Sequence, residues 1–489
     1  MKKITIIISI LLFISQSYAQ NSVDALRYSK IHFGGTARYM GMSGAFGALG
    51  ADISTFSINP GGIGLYNSSE FVITPNLNVS SINSAYNGSA GEESKYNFSL
   101  NNVGFVISKK LQNDNGWKNL QFGVGINRYN NFNQRILING VNSDNSISDT
   151  WVEYANGTNW ENIESEDNGV GTFDLNLAWW TYLIDTLNGN PNYYQNAVPD
   201  GDINQRKYIN SSGYNNEVSL TMGANYNNKL YIGATIGFPS IQYSSTATYT
   251  ETAINSNIAD DQFRKLSYQE TLTTTGSGIN LKLGMIFRAT NWLRIGGAFH
   301  TPTFYTDITD SWSTYLRSDW DVFNSEEKKS PIGNYNYELN TPLKAIGSIA
   351  IILAPYGLIS ADYEYVDYSA ARLRSDDYDF YSENGDINNK YKTTGNLRLG
   401  TEWRFMNFSF RGGYALYGSP FYNKTNDGKI TSFSLGMGYR SSNYFVDLAW
   451  VNSKMSEDYY LYGTENISVN PAVVDYKTNN FMVTVGYKF

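Results

Sequence analysis

Alternation of apolar and polar side chains is clearest in the last nine residues of the chain. One face carries Phe481, Val483, Val485, Tyr487 and Phe489, and the residues between them are small or polar. A β-strand that lies between lipid and a polar lumen has this pattern. The same alternation recurs at 120–127, 397–405, 408–416, 433–439 and 444–450. The repetition predicts a chain built mainly from such strands.

Fourteen strands are predicted when the pattern is followed along the whole chain. Most offer the roughly 9–11 residues that a tilted strand needs to cross a bilayer. They begin near Phe71, Phe98, Asn119, Asn215, Lys229, Phe263, Trp292, Tyr335, Tyr356, Tyr391, Met406, Lys429, Asn443 and Asp475.

Short and long connections alternate between these strands. The even-numbered connections are tight, while the others are long, polar and rich in Asn, Asp and Ser, the longest being about 131–214. Short periplasmic turns and longer extracellular loops are typical of bacterial outer-membrane barrels. We therefore predict an all-β fold, a transmembrane antiparallel β-barrel of about 14 strands in the bacterial outer membrane. The tight connections are Gln112–Lys118, Asn227-Asn228, Thr290-Asn291, Ala354-Pro355, Met406-Asn407 and Ser441-Ser442.

The longest connection contains one helical pattern. Phe173, Leu177, Trp180, Ile184 and Leu187 recur at intervals of 4, 3, 4 and 3 residues, which predicts an amphipathic helix. The preferred interpretation is a loop helix packed on the rim of the barrel. The alternative is an apolar landing surface for a hydrophobic substrate.

Composition narrows the class of protein without deciding it. Charged residues make up 16% of the 489 residues, against roughly 25% in ordinary soluble domains, and aromatic residues reach 15%. Beyond the N-terminus there is no apolar run long enough for a transmembrane helix. Composition therefore leaves a secreted all-β protein or an outer-membrane barrel, and the alternating loop lengths favour the barrel.

The N-terminus predicts export. Lys2 and Lys3 precede an apolar run at 4–14 and small residues at Ser17 and Ala19, the pattern of a signal peptide spanning 1–19. Without the two lysines the chain has 34 basic and 44 acidic residues, a net charge of −10, so no nucleic-acid partner is expected. The chain has no cysteine, which excludes disulfides and a lipoprotein anchor.

A dense run of glycines stands between the predicted signal peptide and the first strand. Gly41, Gly44, Gly47 and Gly50 are spaced by three residues, and Asn59, Pro60 and Gly61 follow as a turn. The plain interpretation is a tightly packed loop. The alternative, which the fourteen strands favour, is a compact plug inside the barrel, in which a bulky residue at Gly44 or Gly47 jams or unseats the plug and leaves the barrel folded.

Several short motifs resemble the FadL/TodX family of outer-membrane channels for hydrophobic compounds, in a Bacteroidetes-type form. The resemblance covers nearly all of the mature chain. The motifs are ARYMGMSGAF at 37–46, Asn-Pro-Gly at 59–61, TPL at 341–343, ADYEY at 361–365, RLGTE at 398–402, RGGY at 411–414, LGMGYR at 435–440 and the closing strand.

The resemblance implies a fourteen-stranded barrel at 69–489 with an N-terminal luminal hatch at 20–68. It implies passive uptake of hydrophobic or amphipathic small molecules, such as long-chain fatty acids or aromatic hydrocarbons, with a shifting hatch and a sideways exit through a strand gap. Two departures stand out. Gly61 replaces the family's alanine, and the helical loop follows an earlier strand, so no outer binding site is carried over.

Charged residues are predicted on the luminal face near the turn at Met406-Asn407. With that turn, paired residue numbers sum to 813, so Glu402 lies opposite Arg411. The structural interpretation is a cross-strand ion pair in the wall. The functional alternative is that Arg398, Arg404 or Arg411 binds a substrate carboxylate.

The sequence gives little support for an enzymatic function. The chain has two histidines, His32 and His300, and no Gly-x-Ser-x-Gly motif, so we predict no enzyme, no cofactor and no metal site. The expected partners are a hydrophobic ligand, outer-membrane lipid and lipopolysaccharide, and the barrel assembly machinery, which would read the strand ending in Phe489; a monomer is expected. Two other functions stay open: a docking or secretion component of the type IX kind, and haem uptake through His32 or His300.

Overall fold

The computed structural model describes residues 22–32, 34–111, 116–165, 173–198, 202–254, 263–321, 324–422, 426–464 and 466–489. The predicted signal peptide lies outside these residues. Within them, no helix is both long and apolar enough to cross a membrane.

Fourteen antiparallel strands of the described chain form one closed barrel, which confirms the predicted fold class. Each strand pairs with its neighbour in sequence, and β1 pairs with β14 to close the ring, for example Phe71 with Tyr487. The strands are β1 Glu70–Tyr86, β2 Ser89–Lys110, β3 Trp117–Asn131 and Gln134–Asn142, β4 Ile203–Tyr226, β5 Leu230–Ala253, β6 Phe263–Arg288, β7 Leu293–His300 and Phe304–Trp320, β8 Gly333–Asn340 and Lys344–Leu353, β9 Gly357–Asp367 and Arg372–Arg374, β10 Thr393–Phe405, β11 Phe408–Tyr417, β12 Ile430–Arg440, β13 Tyr444–Tyr459 and β14 Ala472–Lys488.

The alternation along each strand separates an apolar outer face from a small or polar inner face. On β3, Phe122, Val124 and Ile126 are exposed, whereas Gln121 and Asn127 are fully buried. This is the reverse of a water-soluble protein and suits an exterior covered by lipid. Aromatic pairs lie at the turn end, where Phe489 stacks on Phe105 with ring centroids 5.7 Å apart.

The tight turns follow from residues that tolerate positive φ. Asn227 and Asn228 have φ of 52° and 54°, as a two-residue type I′ turn requires. The first connection is also tight, at Asn87 and Gly88 with φ of 45° and 79°, although a long one was predicted. The error arose because β1 and β2 continue as a paired polar hairpin well beyond the predicted apolar segments, with Tyr86 opposite Ser89.

The longest connection spans 143–202, shorter than the predicted 131–214, because both flanking strands extend further than the apolar pattern indicates. It forms a folded cap whose hydrophobic core is shared with the extracellular parts of the strands, for example Ile138, Tyr249 and Leu316. Two short helices precede it in the chain, α1 (Ser22–Ser29) and α2 (Ala37–Met40). The elements of the cap are the helices α3 (Ile147–Ala155), α4 (Trp160–Glu164) and α5 (Phe173–Trp180), a hairpin of Ile184–Thr186 with Tyr194–Asn196, and a 3₁₀ turn at Leu187–Gly189.

The predicted amphipathic helix is only partly present. Helix α5 covers the first three apolar positions and ends at Trp180, because Tyr182 takes a left-handed φ of 56° and Ile184 enters the hairpin. Phe173 and Trp180 are exposed, whereas Leu177 is buried. The helix lies next to the extracellular parts of β7, as the interpretation of a rim helix predicted.

The N-terminal residues lie at the loop end of the lumen. The helix Ser22–Ser29 contacts the helix Tyr381–Lys390 of an extracellular loop. The Tyr391 hydroxyl donates to the carbonyl of Ser22 at 2.9 Å, and Lys30 Nζ donates to the carbonyl of Gly428 at 3.1 Å. From there the chain runs down inside the barrel to β1.

Candidate functional site

Residues 34–66, here called the luminal segment, fill the bore of the barrel and are almost entirely buried. Side-chain caps shape the segment locally. Thr36 caps the short helix Ala37–Met40, Asp52 caps the 3₁₀ turn Ile53–Ser57, and Asn59 caps the 3₁₀ turn Pro60–Leu65. The segment is thus a chain of tight turns with no long helix.

The four glycines of the segment serve two different needs. Gly44 and Gly50 have φ of 79° and 67°, a conformation that side chains disfavour. Gly41 and Gly47 allow close approach to the wall. A Cβ on Gly41 would lie 3.1 Å from the Cα of Gly436, and one on Gly47 would lie 2.0 Å from Ser348 Oγ.

The Asn59-Pro60-Gly61 turn is held against β6. Asn59 Oδ1 accepts from the Gly61 amide at 3.0 Å, and its Nδ2 donates to the carbonyls of Gly47 at 2.6 Å and Met285 at 3.0 Å. A Cβ on Gly61 would lie 2.8 Å from the Cα of Met285. Glycine in place of the expected alanine therefore fits the closeness of this wall.

Glycines on the inner face of the wall line the bore at the level of the luminal segment. We call these glycines the glycine seat. A Cβ at any of these positions would enter the luminal segment, so the backbone of the wall and the segment are in direct contact. The distances for such a Cβ are 2.4 Å from Phe56 at Gly123, 2.3 Å from Ile63 at Gly223, 2.2 Å from the Pro60 carbonyl at Gly233, 2.0 Å from Asn59 Oδ1 at Gly284, 2.2 Å from the Gly47 carbonyl at Gly296, 2.7 Å from the Met42 carbonyl at Gly400 and 2.4 Å from the Met42 carbonyl carbon at Gly413.

Polar side chains of the wall anchor the backbone of the segment. Asp362 accepts from the amides of Phe46 at 3.1 Å and Gly47 at 2.9 Å. His300 Nε2 lies 2.8 Å from the carbonyl oxygen of Ile58, and Arg294 donates to the carbonyl of Leu49 at 3.0 Å. These contacts hold the segment against the wall, because each satisfies a buried backbone group.

One ion-pair cluster joins the segment to the wall. Arg38 of the segment lies 3.1 Å from Glu402, which is also 2.8 Å from Arg411 and 2.9 Å from Arg404. Arg411 continues to Asp447 at 2.6 Å. Glu402 faces Arg411 in the ladder, as the predicted sum of 813 requires. Four of these side chains are buried and Arg404 is exposed, so the cluster compensates charges that would be costly alone.

The remaining predicted luminal charge belongs to a separate cluster. Arg398 is 1% exposed and lies 3.2 Å from Glu364, which also accepts from Asn396 at 2.9 Å. Arg398 therefore sits in a wall network, while Arg404 keeps half of its side chain exposed at the turn end.

Comparison with solved structures decides what this architecture resembles. No family model and no curated protein matches the sequence. A FadL homologue from Pseudomonas aeruginosa is 12% identical, with 94% of this chain and 98% of that chain covered and a TM-score of 0.56. The chain has a FadL-type fold. The toluene transporters TbuX of Ralstonia pickettii and TodX of Pseudomonas putida are 15% and 11% identical, each with 93% of this chain and 98% of theirs covered, at TM-scores of 0.51 and 0.53.

This FadL-type barrel has a wall break between β2 and β3 in the sense that their backbone hydrogen-bond ladder stops part-way, although side chains still join the two strands, as Asn131 Nδ2 donates to Asn97 Oδ1 at 3.1 Å. The ladder between them ends at Asn102 and Asn127, and the second part of β3 pairs only with β4 within the described residues. Lys95 of β2 reaches past β3 and donates to the carbonyl of Ser211 in β4 at 2.6 Å and to Asn210 Oδ1 at 2.9 Å. A side chain therefore spans the place where backbone hydrogen bonds stop.

The glycine seat was not predicted, nor was the role of Asp362 and His300 as anchors of the segment, although both residues stood out in the sequence. The seat glycines appeared only as small residues on the polar faces of strands. Their signal is a glycine at the same height on consecutive strands, since Gly223 faces Gly233 and Gly233 faces Gly284. Recognising that row requires the register of three strands together.

Proposed function

We propose that the chain is an outer-membrane channel for passive uptake of hydrophobic or amphipathic small molecules, gated by the luminal segment. The observation that carries the proposal is that the segment fills the bore in contact with a backbone seat, so nothing passes until the segment shifts. The fold supports it, because barrels of this fold include a FadL homologue and two toluene transporters. Long-chain fatty acids and aromatic hydrocarbons are the substrate classes to test first.

The wall break between β2 and β3 is the proposed route out of the lumen. A hydrophobic molecule that leaves sideways enters lipid without crossing water, which costs it little. The Lys95 contact with β4 spans this break and has to release or swing for a molecule to pass. In this proposal the gate consists of Gly41, Gly44, Gly47, Gly50, Asn59, Pro60 and Gly61.

A disulfide between segment and wall tests the gate. Ser43 Oγ lies 2.8 Å from Ser434 Oγ, which is close enough for replacement by a cysteine pair. The chain has no cysteine, so the pair Ser43→Cys and Ser434→Cys can form only the intended bond within a monomer. We expect uptake of a labelled fatty acid or of toluene to stop on oxidation and to return on reduction.

The controls are the two single cysteine variants, which should transport equally under oxidising and reducing conditions. Transport by the fully oxidised double variant at the rate of the reduced one would show that the segment does not gate. The fraction oxidised is read from maleimide labelling of the remaining thiols.

A second candidate is a docking or secretion barrel that binds a partner protein. The folded extracellular cap, whose core is continuous with the ends of the strands, and the filled bore favour it, because a static plug and an ordered outer surface suit docking. In that case the reduced double variant and the unmodified protein both fail to raise uptake above that of empty membranes. Haem uptake has less support, because His300 already contacts the carbonyl of Ile58.

A further inference from the structure

The turn end of the barrel carries a ring of inward-facing cations. By the alternation of each strand, these side chains continue the inner face below the glycine seat. They belong to six different strands, so they surround the mouth instead of converging on one point. The cations are Lys110 on β2, Arg288 on β6, Arg294 on β7, Arg404 on β10, Arg440 on β12 and Lys488 on β14.

Among the described residues, the carboxylates that pair with cations of this mouth are buried. Glu402 and Glu70, the carboxylates paired with Arg404 and Lys488, are 1% and 5% exposed. Arg404 and Lys488 themselves keep 51% and 34% of their side chains exposed. The described residues of the six tight turns include no Asp or Glu. The chain as a whole is acidic, with a net charge of −8, so the cationic mouth is a local feature that runs against the overall charge.

We propose that this mouth docks a soluble acidic protein on the turn side of the membrane. Charge complementarity selects the partner, because a ring of cations that are exposed or half-buried attracts and orients an extended anionic surface. Lipid headgroups are disfavoured because the ring faces the bore and not the surrounding bilayer. A single small anion is disfavoured because the cations lie on strands spread around the mouth.

The strand β2 supplies a matched pair of variants. Lys109 and Lys110 are adjacent and exposed, but they alternate between the outer and the inner face. Lys110→Glu therefore reverses one charge of the mouth, and Lys109→Glu makes the same chemical change outside it. Neither residue belongs to the proposed gate.

The test uses the mature barrel in nanodiscs of phosphatidylcholine, with fluorescein-labelled poly-L-glutamate as the acidic probe, followed by fluorescence anisotropy. We expect binding that weakens with salt, a loss of about fivefold in affinity for Lys110→Glu and little change for Lys109→Glu. Arg440→Gln, four strands from Lys110 around the closed barrel, should also weaken binding. Heat-modifiable gel mobility confirms that each barrel is folded.

Three results would overturn the proposal. Equal losses for Lys109→Glu and Lys110→Glu would mean that the probe binds the outer surface. Displacement by phosphate or free glutamate at equal total charge would indicate a small-anion site. Loss of the probe on adding phosphatidylglycerol to the nanodisc would assign the mouth to lipid. None of these results bears on uptake, so the proposed function is tested separately.

Discussion

Replacing a single seat glycine tests the contact between wall and segment most directly. In Gly284→Ala the new Cβ would lie 2.0 Å from Asn59 Oδ1 and 2.8 Å from the nitrogen of Pro60. Neither distance is tolerable, so the Asn59 turn has to move. The matched control is Gly297→Ala on the neighbouring strand, where a Cβ has open space because it points outward.

The free-energy cost of Gly284→Ala follows from the contacts that the Asn59 turn loses. Overpacking costs about 1–3 kcal/mol, and displacing Asn59 weakens three hydrogen bonds, each worth about 1 kcal/mol net. A shift of about 3 kcal/mol against the seated state corresponds to roughly a hundredfold change in its equilibrium. The conformational effect of replacing glycine in a strand is shared by both variants and cancels in the comparison.

A cysteine at Ala48 reports the seated state, because Ala48 is fully buried in the segment. We expect maleimide to label Ala48→Cys roughly a hundredfold faster in the Gly284→Ala background and at an unchanged rate with Gly297→Ala. Equal labelling of two folded barrels would refute the argument that the seat holds the segment. Failure of Gly284→Ala alone to fold would refute it too, by making the glycine an assembly element.

Three further predictions concern the segment, the luminal charges and the cap. Gly44→Val and Gly47→Leu should unseat the segment and change uptake while the barrel keeps its heat-modifiable mobility; loss of the barrel would contradict this. If Arg398 or Arg404 binds a substrate carboxylate, Arg404→Gln and Arg398→Gln should reduce fatty-acid uptake and leave toluene uptake intact. Unchanged uptake of both substrates would contradict this hypothesis. Burial, with a smaller contribution from the carboxylate of Glu270, raises the pKa of Asp174 in α5 from 3.8 to about 6. The folded cap therefore loses stability as the pH rises from about 4 through 6. Asp174→Asn should slow proteolysis of the 143–202 cap at pH 7 and have no effect at pH 4.

The barrel was predictable because its signal is local and repeated. Fourteen strand positions, the tight even-numbered turns and the pairing of Glu402 with Arg411 all follow from alternation and turn length. Strand ends were not predictable in the same way, because the extracellular parts of strands such as β2 are polar on both faces. A ladder of backbone hydrogen bonds extends them, and that ladder has no signature in a single sequence.

The luminal segment was predictable from the sequence, whereas the wall residues that contact it were not. The glycine run and the Asn59 turn are continuous in sequence, so their density marked them. The partners Asp362, His300 and Gly284 lie on three different strands, and only the register brings them to one level. A rule based on residue type alone cannot separate these side chains from others on the same inner faces.

The lack of clearance between the glycine seat and the luminal segment has a consequence for biogenesis. The segment leaves the ribosome before any strand, and the β1–β14 seam is the last ladder that chain order permits. Once the ring is closed, the turns at 34–66 could be seated only by sliding past wall backbone that leaves no space for a Cβ. We therefore expect the strands to close around a segment already in place, so that the segment acts as an internal template for barrel closure.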